Sequence, residues 1–377
     1  MTSEITAITM PKWGLTMTEG KVVGWLKQQG QSFAAGEELL EIETTKITNV
    51  VEAAESGTLR RIVASAGATL PVGALLAVAA PEEVPETEIE AFVAGFAAPE
   101  QMAEAAPTAE APKPREVEAA GLRLRYLELG EGDGVPVLLL HGFGADLNTW
   151  MFAQPALAEG RRVIALDLPG HGGSAKEVTQ ADVQDASLAA IIDRALQALG
   201  IERIHLVGHS MGGGVAISFA VWQPERVATL SLIASASLGP EINAAFIDGF
   251  VRASRRREMA EVLNLLVHDP SLVSRTMVED VLRYKRLDGV QTALKTFAEE
   301  WFPRGVQRAD WGEVVTGLKI PVQIIWGRED RIIPVAHAEA LAARLSVHII
   351  EQAGHLPHME KASEVGRLLK RLIENQA

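Results

Sequence analysis

One stretch of the sequence decides the fold of the larger part of the chain: Ile204-His205-Leu206-Val207-Gly208-His209-Ser210-Met211-Gly212-Gly213-Gly214-Val215-Ala216. An apolar run typical of a strand leads into G-x-S-x-G, and an apolar run typical of a helix follows it. In this strand–turn–helix context a serine on a sharp, strained turn projects its hydroxyl above a sheet. A Cβ two residues from that serine would clash, which explains the glycines. The motif predicts Ser210 as a nucleophile, and the alternative is a Gly/Ser-rich loop without chemistry.

A serine nucleophile needs a base and a group that orients the base. In folds with this motif they follow in the order Ser, Asp, His. Asp330 and His355 each come after an apolar, strand-like run, so both are expected at the carboxyl ends of strands, where the sites of open α/β sheets gather. We therefore predict Asp330 as the acid and His355 as the base. Each has a close competitor, Glu329 for the acid and His358 for the base.

An oxyanion hole is the next requirement, because acyl chemistry at a serine develops negative charge on the carbonyl oxygen. The residue after the nucleophile supplies one backbone N–H, here Met211. We assign the second donor to Phe143, in the loop His141-Gly142-Phe143-Gly144 that follows a strand-like run. No metal site is predicted, because the sequence has no HExxH motif and no further ligand cluster beside His355 and His358.

Residues 116–377 alternate apolar strand-like runs with helical patterns, which predicts a mostly parallel sheet covered on both faces. Helical spacing alone dominates from about 238 to 318, so we expect a helical cap inserted into this α/β domain. Together with the motifs above, this part of the chain resembles the α/β-hydrolase family. The predicted strands are Val135–Leu140, Arg162–Leu166, Ile204–Val207, Thr229–Ala234, Val322–Trp326 and Val347–Ile350.

The first 115 residues fall into two parts of different composition. Residues 2–80 hold short segments rich in Val, Ile, Thr and Leu between glycines, which predicts a small β-sandwich or barrel. Residues 81–115 contain six of the 18 prolines, eight Glu and two basic residues, and we expect an extended Ala/Pro/Glu-rich linker. Within it, apolar residues at i, i+3, i+4 and i+7 predict a short amphipathic helix over 89–96, which either docks a partner or packs on its own chain.

Lys46 lies between two strand-like runs, Glu38–Glu43 and Thr48–Glu52, and a lysine at a protruding hairpin tip can carry a long covalent arm without burying it. With this lysine and the glycines that surround it, the N-terminal part resembles a lipoyl domain. The related biotinyl domain usually has methionines on either side of its lysine, whereas Thr45 and Ile47 flank Lys46. The resemblance therefore implies lipoate on Lys46. It rests on Met10-Pro11-Lys12-Trp13-Gly14-Leu15-Thr16-Met17-Thr18-Glu19-Gly20, Lys27-Gln28-Gln29-Gly30 and Glu37-Glu38-Leu39-Leu40-Glu41-Ile42-Glu43-Thr44-Thr45-Lys46-Ile47.

The fusion of these two parts resembles the dihydrolipoyllysine acetyltransferase components of acetoin dehydrogenase complexes over essentially the whole chain. The resemblance implies that a thiamine-diphosphate-dependent dehydrogenase cleaves acetoin and loads acetyl onto lipoyl-Lys46. The acetyl group then passes through Ser210 to coenzyme A, and a dihydrolipoamide dehydrogenase reoxidises the arm. The HxxxDG motif of the trimeric acyltransferase core of pyruvate dehydrogenase complexes is absent.

Two other functions remain open at this point. In one, the chain is an esterase, thioesterase or C–C hydrolase that uses the same triad, and the lipoyl domain is only a tether. In the other, it is a non-catalytic carrier and scaffold, against which the intact Ser210, Asp330 and His355 set speaks. The basic cluster Arg252, Arg255, Arg256 and Arg257 either meets the phosphates of coenzyme A or forms a solvated helix face.

Composition limits the partners and the compartment. With 35 Lys+Arg against 49 Asp+Glu, the net charge of −14 argues against a nucleic-acid partner. The absence of cysteine excludes disulfides and thiolate chemistry and suggests a reducing compartment. We find no signal peptide and no apolar run near the ~18 residues of a membrane span, so a cytoplasmic protein without a membrane partner is expected.

Overall fold

A computed structural model of the chain describes residues 5–11, 17, 19–44, 48–53, 55–96 and 112–375. These residues form two compact units. The N-terminal unit contains two four-stranded sheets, with strand orders β1-β8-β6-β3 and β5-β4-β2-β7. Its strands are β1 (Thr6–Thr9), β2 (Glu19–Trp25), β3 (Ser32–Phe33), β4 (Glu38–Glu43), β5 (Thr48–Glu52), β6 (Gly57–Ile62), β7 (Thr69–Pro71) and β8 (Leu75–Ala79).

The two sheets enclose one apolar core, as the alternation of apolar and polar residues along their strands requires. Val22, Leu40 and Ile42 are fully buried within it. Strands β4 and β5 pair antiparallel with Glu43 opposite Thr48, so they form a hairpin with the bounds expected from the sequence. The predicted β-sandwich is thereby confirmed. Lys46 follows β4 and precedes β5 in the sequence and lies outside the described residues.

Helix α1 (Glu86–Gly95) lies in the segment for which composition predicts an extended linker. This helix confirms the short amphipathic helix that the sequence predicts. It also corrects the expectation of an extended linker for residues 81–96, because these residues are folded. The reason is that Ile89 is fully buried against Val78, Ala80 and Val84, so the segment contains enough apolar surface to pack on its own chain. The described part of this helix thus packs on its own chain through Ile89.

The larger unit is built on an eight-stranded sheet of order β16-β15-β14-β13-β11-β12-β10-β9. In the part of the sheet that runs from β16 to β12, all adjacent strands are parallel. At the other edge, β10 pairs antiparallel with β12, and β9 pairs antiparallel with β10. Its strands are β9 (Arg115–Ala119), β10 (Leu122–Leu129), β11 (Val137–Leu140), β12 (Val163–Leu166), β13 (Ile204–His209), β14 (Val227–Ile233), β15 (Val322–Gly327) and β16 (Ser346–Ile350).

Helices connect these strands, and four central strands, β11 to β14, are buried along their whole length. This explains why they read as continuous apolar runs in the sequence. The helices of this unit are α2 (Ala153–Leu157), α3 (Asp185–Ala198), α4 (Met211–Trp222), α5 (Ala244–Arg252), α6 (Arg256–Leu263), α7 (Arg275–Lys285), α8 (Val290–Trp301), α9 (Gly312–Gly317), α10 (Ala336–Glu339), α11 (Pro357–Glu360) and α12 (Ala362–Glu374).

Helices α5 to α9 all fall between strands β14 and β15, where the sequence predicts a helical cap. The α/β architecture with an inserted cap is confirmed. The antiparallel hairpin of β9 and β10 was not among the predicted strands, because charged residues alternate along it and β9 is largely exposed. None of the helices in the described ranges has the length and apolar character of a membrane-spanning segment.

Candidate active site

Ser210 lies on the turn between strand β13 and helix α4, where G-x-S-x-G predicts it. Its backbone has φ 52° and ψ −122°, a left-handed conformation that costs a non-glycine residue energy and that is common at functional turns. The surrounding backbone holds it in place. The Ser210 amide donates to Ile233 O at 3.0 Å, and the Ser210 carbonyl accepts from Gly213 N and Ala236 N at 2.9 Å each.

The two outer glycines of the motif are required by close backbone approach. A Cβ on Gly208 would lie 2.4 Å from Gly212 O, and a Cβ on Gly212 would lie 2.4 Å from His141 O. Real Cβ atoms do not approach backbone oxygens this closely. The contact of Gly212 also shows that the loop after β11 runs directly beside the turn of Ser210.

His355 and Asp330 come together from loops that follow β16 and β15. Nδ1 of His355 donates to Oδ2 of Asp330 at 2.8 Å, and the two side chains are 3% and 0% exposed. Oδ1 of Asp330 accepts from the backbone amides of Ile332 and Ile333 at 2.8 and 3.0 Å. Because the carboxylate only accepts, the proton of neutral His355 lies on Nδ1 and the lone pair lies on Nε2, as a general base needs.

The competing histidine, His358, has a different environment. Its Nε2 is 3.0 Å from Oγ1 of Thr149, and its ring lies 4.8 Å from the ring of Trp150. Burial, with a smaller contribution from the neighbouring His355, lowers the pKa of His358 to about 3. No carboxylate contacts it in the described part of the chain. His358 therefore lacks the orienting acid that His355 has.

The competing carboxylate, Glu329, also lies apart from the imidazole of His355. Its Oε2 accepts from the backbone amide of Ala353 at 3.0 Å, and its side chain is 36% exposed. It supports the loop that leads to His355. The carboxylate in contact with the His355 ring is Asp330.

The loop with Phe143 lies against the turn of Ser210, because a Cβ on Gly142 would be 2.9 Å from the Cβ of Ser210. Within the described ranges, the backbone amides of Phe143 and Met211 have no hydrogen-bond acceptor, as expected of oxyanion donors. His141 fixes this loop, since it donates through Nδ1 to Gly142 O at 2.8 Å and accepts at Nε2 from Leu168 N at 3.0 Å. Burial lowers the pKa of His141, which keeps it neutral.

A residue beside the nucleophile, His209, joins the two halves of the site. His209 precedes Ser210, and its Nε2 is 2.8 Å from the carbonyl oxygen of His355. The two rings lie 4.9 Å apart. A direct hydrogen bond therefore joins the turn of the nucleophile to the loop of the base. No spacing in the sequence indicates this contact, because 146 positions separate the two residues.

The arginine cluster of the cap lies around the junction of helices α5 and α6. Arg252 ends α5, Arg255 immediately precedes α6, and Arg256 and Arg257 begin α6. Arg252, Arg255 and Arg257 have side chains that are 81%, 85% and 92% exposed. Every member of the cluster has a carboxylate within 4.0 Å, namely Asp248, Glu258, Glu279 or Glu261. Neighbouring carboxylates thus balance the positive charges of the cluster, as is typical of a solvated helix face.

Comparison with known proteins assigns both parts of the chain. A family model for the alpha/beta hydrolase fold matches residues 135–362, and a model described as biotin-requiring enzyme matches residues 6–78. Among solved structures, a meta-cleavage product hydrolase from Pseudomonas fluorescens IP01 in complex with acetates superposes with a TM-score of 0.64 at 27% identity. This superposition covers 70% of the present chain and 98% of the hydrolase.

Two curated relatives match nearly the whole chain. The dihydrolipoyllysine-residue acetyltransferase component of the acetoin cleaving system of Pseudomonas putida is 47% identical over 367 residues, 97% of either chain. The component of the same name from Cupriavidus necator is 44% identical over 367 residues, again 97% of either chain. The match includes the N-terminal unit and the hydrolase unit alike. The chain therefore belongs to the family of dihydrolipoyllysine-residue acetyltransferase components of acetoin cleaving systems, within the α/β-hydrolase fold.

Proposed function

We propose that the chain transfers an acetyl group from lipoyl-Lys46 to coenzyme A through an acetyl-Ser210 intermediate, in the breakdown of acetoin. The observation that carries this proposal is the buried pair of His355 and Asp330 beside the strained turn of Ser210, in a chain that also has a lipoyl-type domain. The two acetyltransferase components of acetoin cleaving systems that match nearly the whole chain support the same reaction.

Lys46 is the proposed attachment site of lipoate. The register of the hairpin leaves residues 44–47 as a short connection between β4 and β5, which suits an arm that must reach beyond its own domain. Lipoate on this lysine supplies the acetyl group as a thioester of a dithiol. The proposed partners are a thiamine-diphosphate-dependent acetoin dehydrogenase and a dihydrolipoamide dehydrogenase, in the cytoplasm.

In the first step Oγ of Ser210 attacks the carbonyl carbon of the thioester while Nε2 of His355 takes the hydroxyl proton. The charge on the carbonyl oxygen is stabilised by the amides of Phe143 and Met211. The carbon–sulfur bond then breaks, and His355 returns the proton to the leaving sulfur. Asp330 orients the imidazole and stabilises its cationic form during this exchange. The products are a free dithiol and an ester on Ser210.

In the second step the thiol of coenzyme A replaces the leaving dithiol. Nε2 of His355 takes the thiol proton, and the sulfur attacks the ester carbonyl through the same oxyanion site. The bond between the acetyl carbon and Oγ of Ser210 breaks, and the serine recovers its proton from His355. The thioester bond lost in the first step is thereby regained, so the two steps exchange one thioester for another.

Water must be excluded for this second step to give transfer, because the same base would activate a water molecule. Two residues of the cap lie against the loop of the oxyanion hole, since the rings of Phe250 and Phe302 lie 5.7 and 6.1 Å from that of Phe143. All three are buried. A closed site of this kind holds the incoming thiol at attack distance, an effect worth up to about 7–11 kcal/mol in favourable cases.

The second candidate is hydrolysis of an ester, a thioester or a carbon–carbon bond by the same triad. The similarity of the hydrolase unit to a meta-cleavage product hydrolase favours it over a non-catalytic scaffold. The deciding experiment measures acetyl-coenzyme A and acetate formed from acetyl-dihydrolipoamide at several concentrations of coenzyme A. We expect acetyl-coenzyme A as the main product. Acetate formation at a rate independent of coenzyme A would identify a hydrolase and reject the transferase.

A further inference from the structure

His209 has an unusual place for a buried histidine. It is the last residue of β13 and precedes the nucleophile, and it is 3% exposed. Its ring lies between two other imidazoles, 4.9 Å from that of His355 and 4.5 Å from that of His358. The mechanism above assigns it no proton transfer. Its contacts indicate what it does instead.

The hydrogen bond to His355 determines the protonation of His209. A carbonyl oxygen only accepts, so Nε2 of His209 carries the proton and donates to His355 O at 2.8 Å. Nδ1 then carries the lone pair and faces Gly142, where a Cβ would lie 3.1 Å away. Burial lowers the pKa of His209 well below its ordinary value, and His358 and His355 lower it further. His209 is therefore a neutral donor.

The backbone of His355 is held on its other side as well. Its amide donates to Leu266 O at 2.8 Å, in the segment that follows cap helix α6. The buried carboxylate of Glu360 accepts from the amide of Gly354 at 2.7 Å and from that of His268 at 2.6 Å. Both peptide groups of His355 are thus anchored, one to the cap segment and one to His209.

We infer that His209 is a positioning residue that sets the reach of His355 toward Ser210 by fixing the carbonyl of the base. The inference rests on the proposed function only in taking His355 as the base. Its physical reason is that Nε2 of His355 must meet the hydroxyl of Ser210, and a misplacement of about 1 Å costs about 100-fold in rate. Because His209 adjoins Ser210 in the chain, one rigid turn carries the nucleophile and holds the base.

The test compares substitutions that keep or remove the donor. His209→Gln presents an amide N–H near the position of Nε2, whereas His209→Leu keeps an apolar volume without a donor. His205→Leu is the matched control, since His205 is buried in the same strand and bonds Thr229 Oγ1 at 2.9 Å at the end away from the turn. The measurements, on the full chain, are the rate of Ser210 labelling by a fluorophosphonate and kcat and KM for acetyl transfer.

We expect His209→Leu to lower kcat and the labelling rate about 10- to 100-fold with KM nearly unchanged. His209→Gln should recover most of the loss, and His205→Leu should keep the wild-type rate. The low-field proton resonance of His355 Nδ1–H should broaden in His209→Leu and not in His205→Leu. If His209→Leu does not fold, His209→Asn, whose amide is too short to reach the carbonyl, takes its place.

The inference is overturned if the folded donor-free variant labels Ser210 at the wild-type rate, or if His209→Gln is no faster than that variant. A failure of the one part of the proposed function on which the inference rests, the role of His355 as the base, gives a different result. In that case wild-type Ser210 does not react, or His355→Ala reacts as fast as the wild type. The labelling of the wild type and of His355→Ala therefore separates the two failures.

Discussion

The ring of Phe250, in cap helix α5, lies against the ring of Phe143 with 5.7 Å between their centroids. The contact is tight, because a Cβ on the neighbouring Gly144 would be 2.4 Å from the Phe250 ring. Helix α5 is itself anchored by Lys285, whose buried ammonium group donates to the carbonyls of Phe250 and Ala253. A cation at the carboxyl end of a helix is stabilising. Together with Phe302, Phe250 thus supports the proposed oxyanion loop from the cap.

Replacing Phe250 by alanine tests this support. We expect kcat for acetyl transfer to fall about 10- to 100-fold, because the amide of Phe143 loses the packing that orients it. The cavity should also lower the free energy of unfolding by about 3–5 kcal/mol. Phe246→Ala is the control, since Phe246 packs on Phe250 at 5.9 Å and is buried in the same helix. Equal losses of kcat in both variants would contradict a specific role for Phe250.

The acid is tested by a pair of substitutions at adjacent positions. Asp330→Asn should lower kcat by about 100- to 10,000-fold, because an amide at this position no longer fixes the His355 tautomer. Glu329→Gln should stay within about threefold of the wild type, since Glu329 bonds a backbone amide and is partly exposed. Steady-state kinetics of acetyl transfer measure both. The reverse order of effects would assign the acid to Glu329.

The strands and the turn of Ser210 are predictable from the sequence because each depends on local pattern. A fully buried parallel strand reads as an apolar run, and G-x-S-x-G needs its glycines where backbones touch. Even the bounds of the hairpin around Lys46 follow from local alternation. The edge hairpin of β9 and β10 does not, because its charged, half-exposed strands resemble a solvated surface.

The environments of the histidines are not predictable in this way. His355 and His358 are only three residues apart in the sequence, and no local pattern distinguishes an acid-paired ring from a packed one. Their environments differ because His355 contacts Asp330, whereas His358 contacts Thr149, which lies 209 positions before it in the sequence. The bond from His209 to His355 likewise depends on how the two loops meet. Such tertiary contacts need the assembled sheet.

Lys46 is predicted to be the single lipoylation site. Intact mass of protein from lipoate-fed cells should show one lipoyl adduct, which Lys46→Ala should remove because the attachment needs a lysine in the hairpin connection. Lys21→Ala is the control, since Lys21 lies on the neighbouring strand β2 and pairs with Glu43 at 3.4 Å. An adduct that survives in Lys46→Ala would disprove the assignment. A biotin mass in place of the lipoyl mass would identify the other branch of the matched family.

Buried neutral histidines predict how stability depends on pH. Burial is the main cause that lowers the pKa of His171 and His358 to about 3 and that of His205 to about 4, from an ordinary 6.5. Between these values the unfolded chain binds protons that the folded chain does not. The free energy of unfolding therefore rises with pH through this range. The contribution of these histidines to it is largest above pH 6.5 and falls as the pH drops, by up to about 1.4 kcal/mol per pH unit for each histidine.

His205→Asn isolates the contribution of one of these groups. The amide of asparagine can replace Nδ1 in the hydrogen bond to Thr229, so the fold keeps its contact while one titrating group is lost. Urea unfolding between pH 4.5 and pH 8 should give a shallower pH dependence for the variant, by about one proton near pH 5. Carboxylates titrate in the same range in both proteins, so their contribution cancels when the two pH dependences are subtracted. An identical slope for the two proteins would show that His205 binds its proton as readily in the folded chain as in the unfolded chain, contrary to its burial.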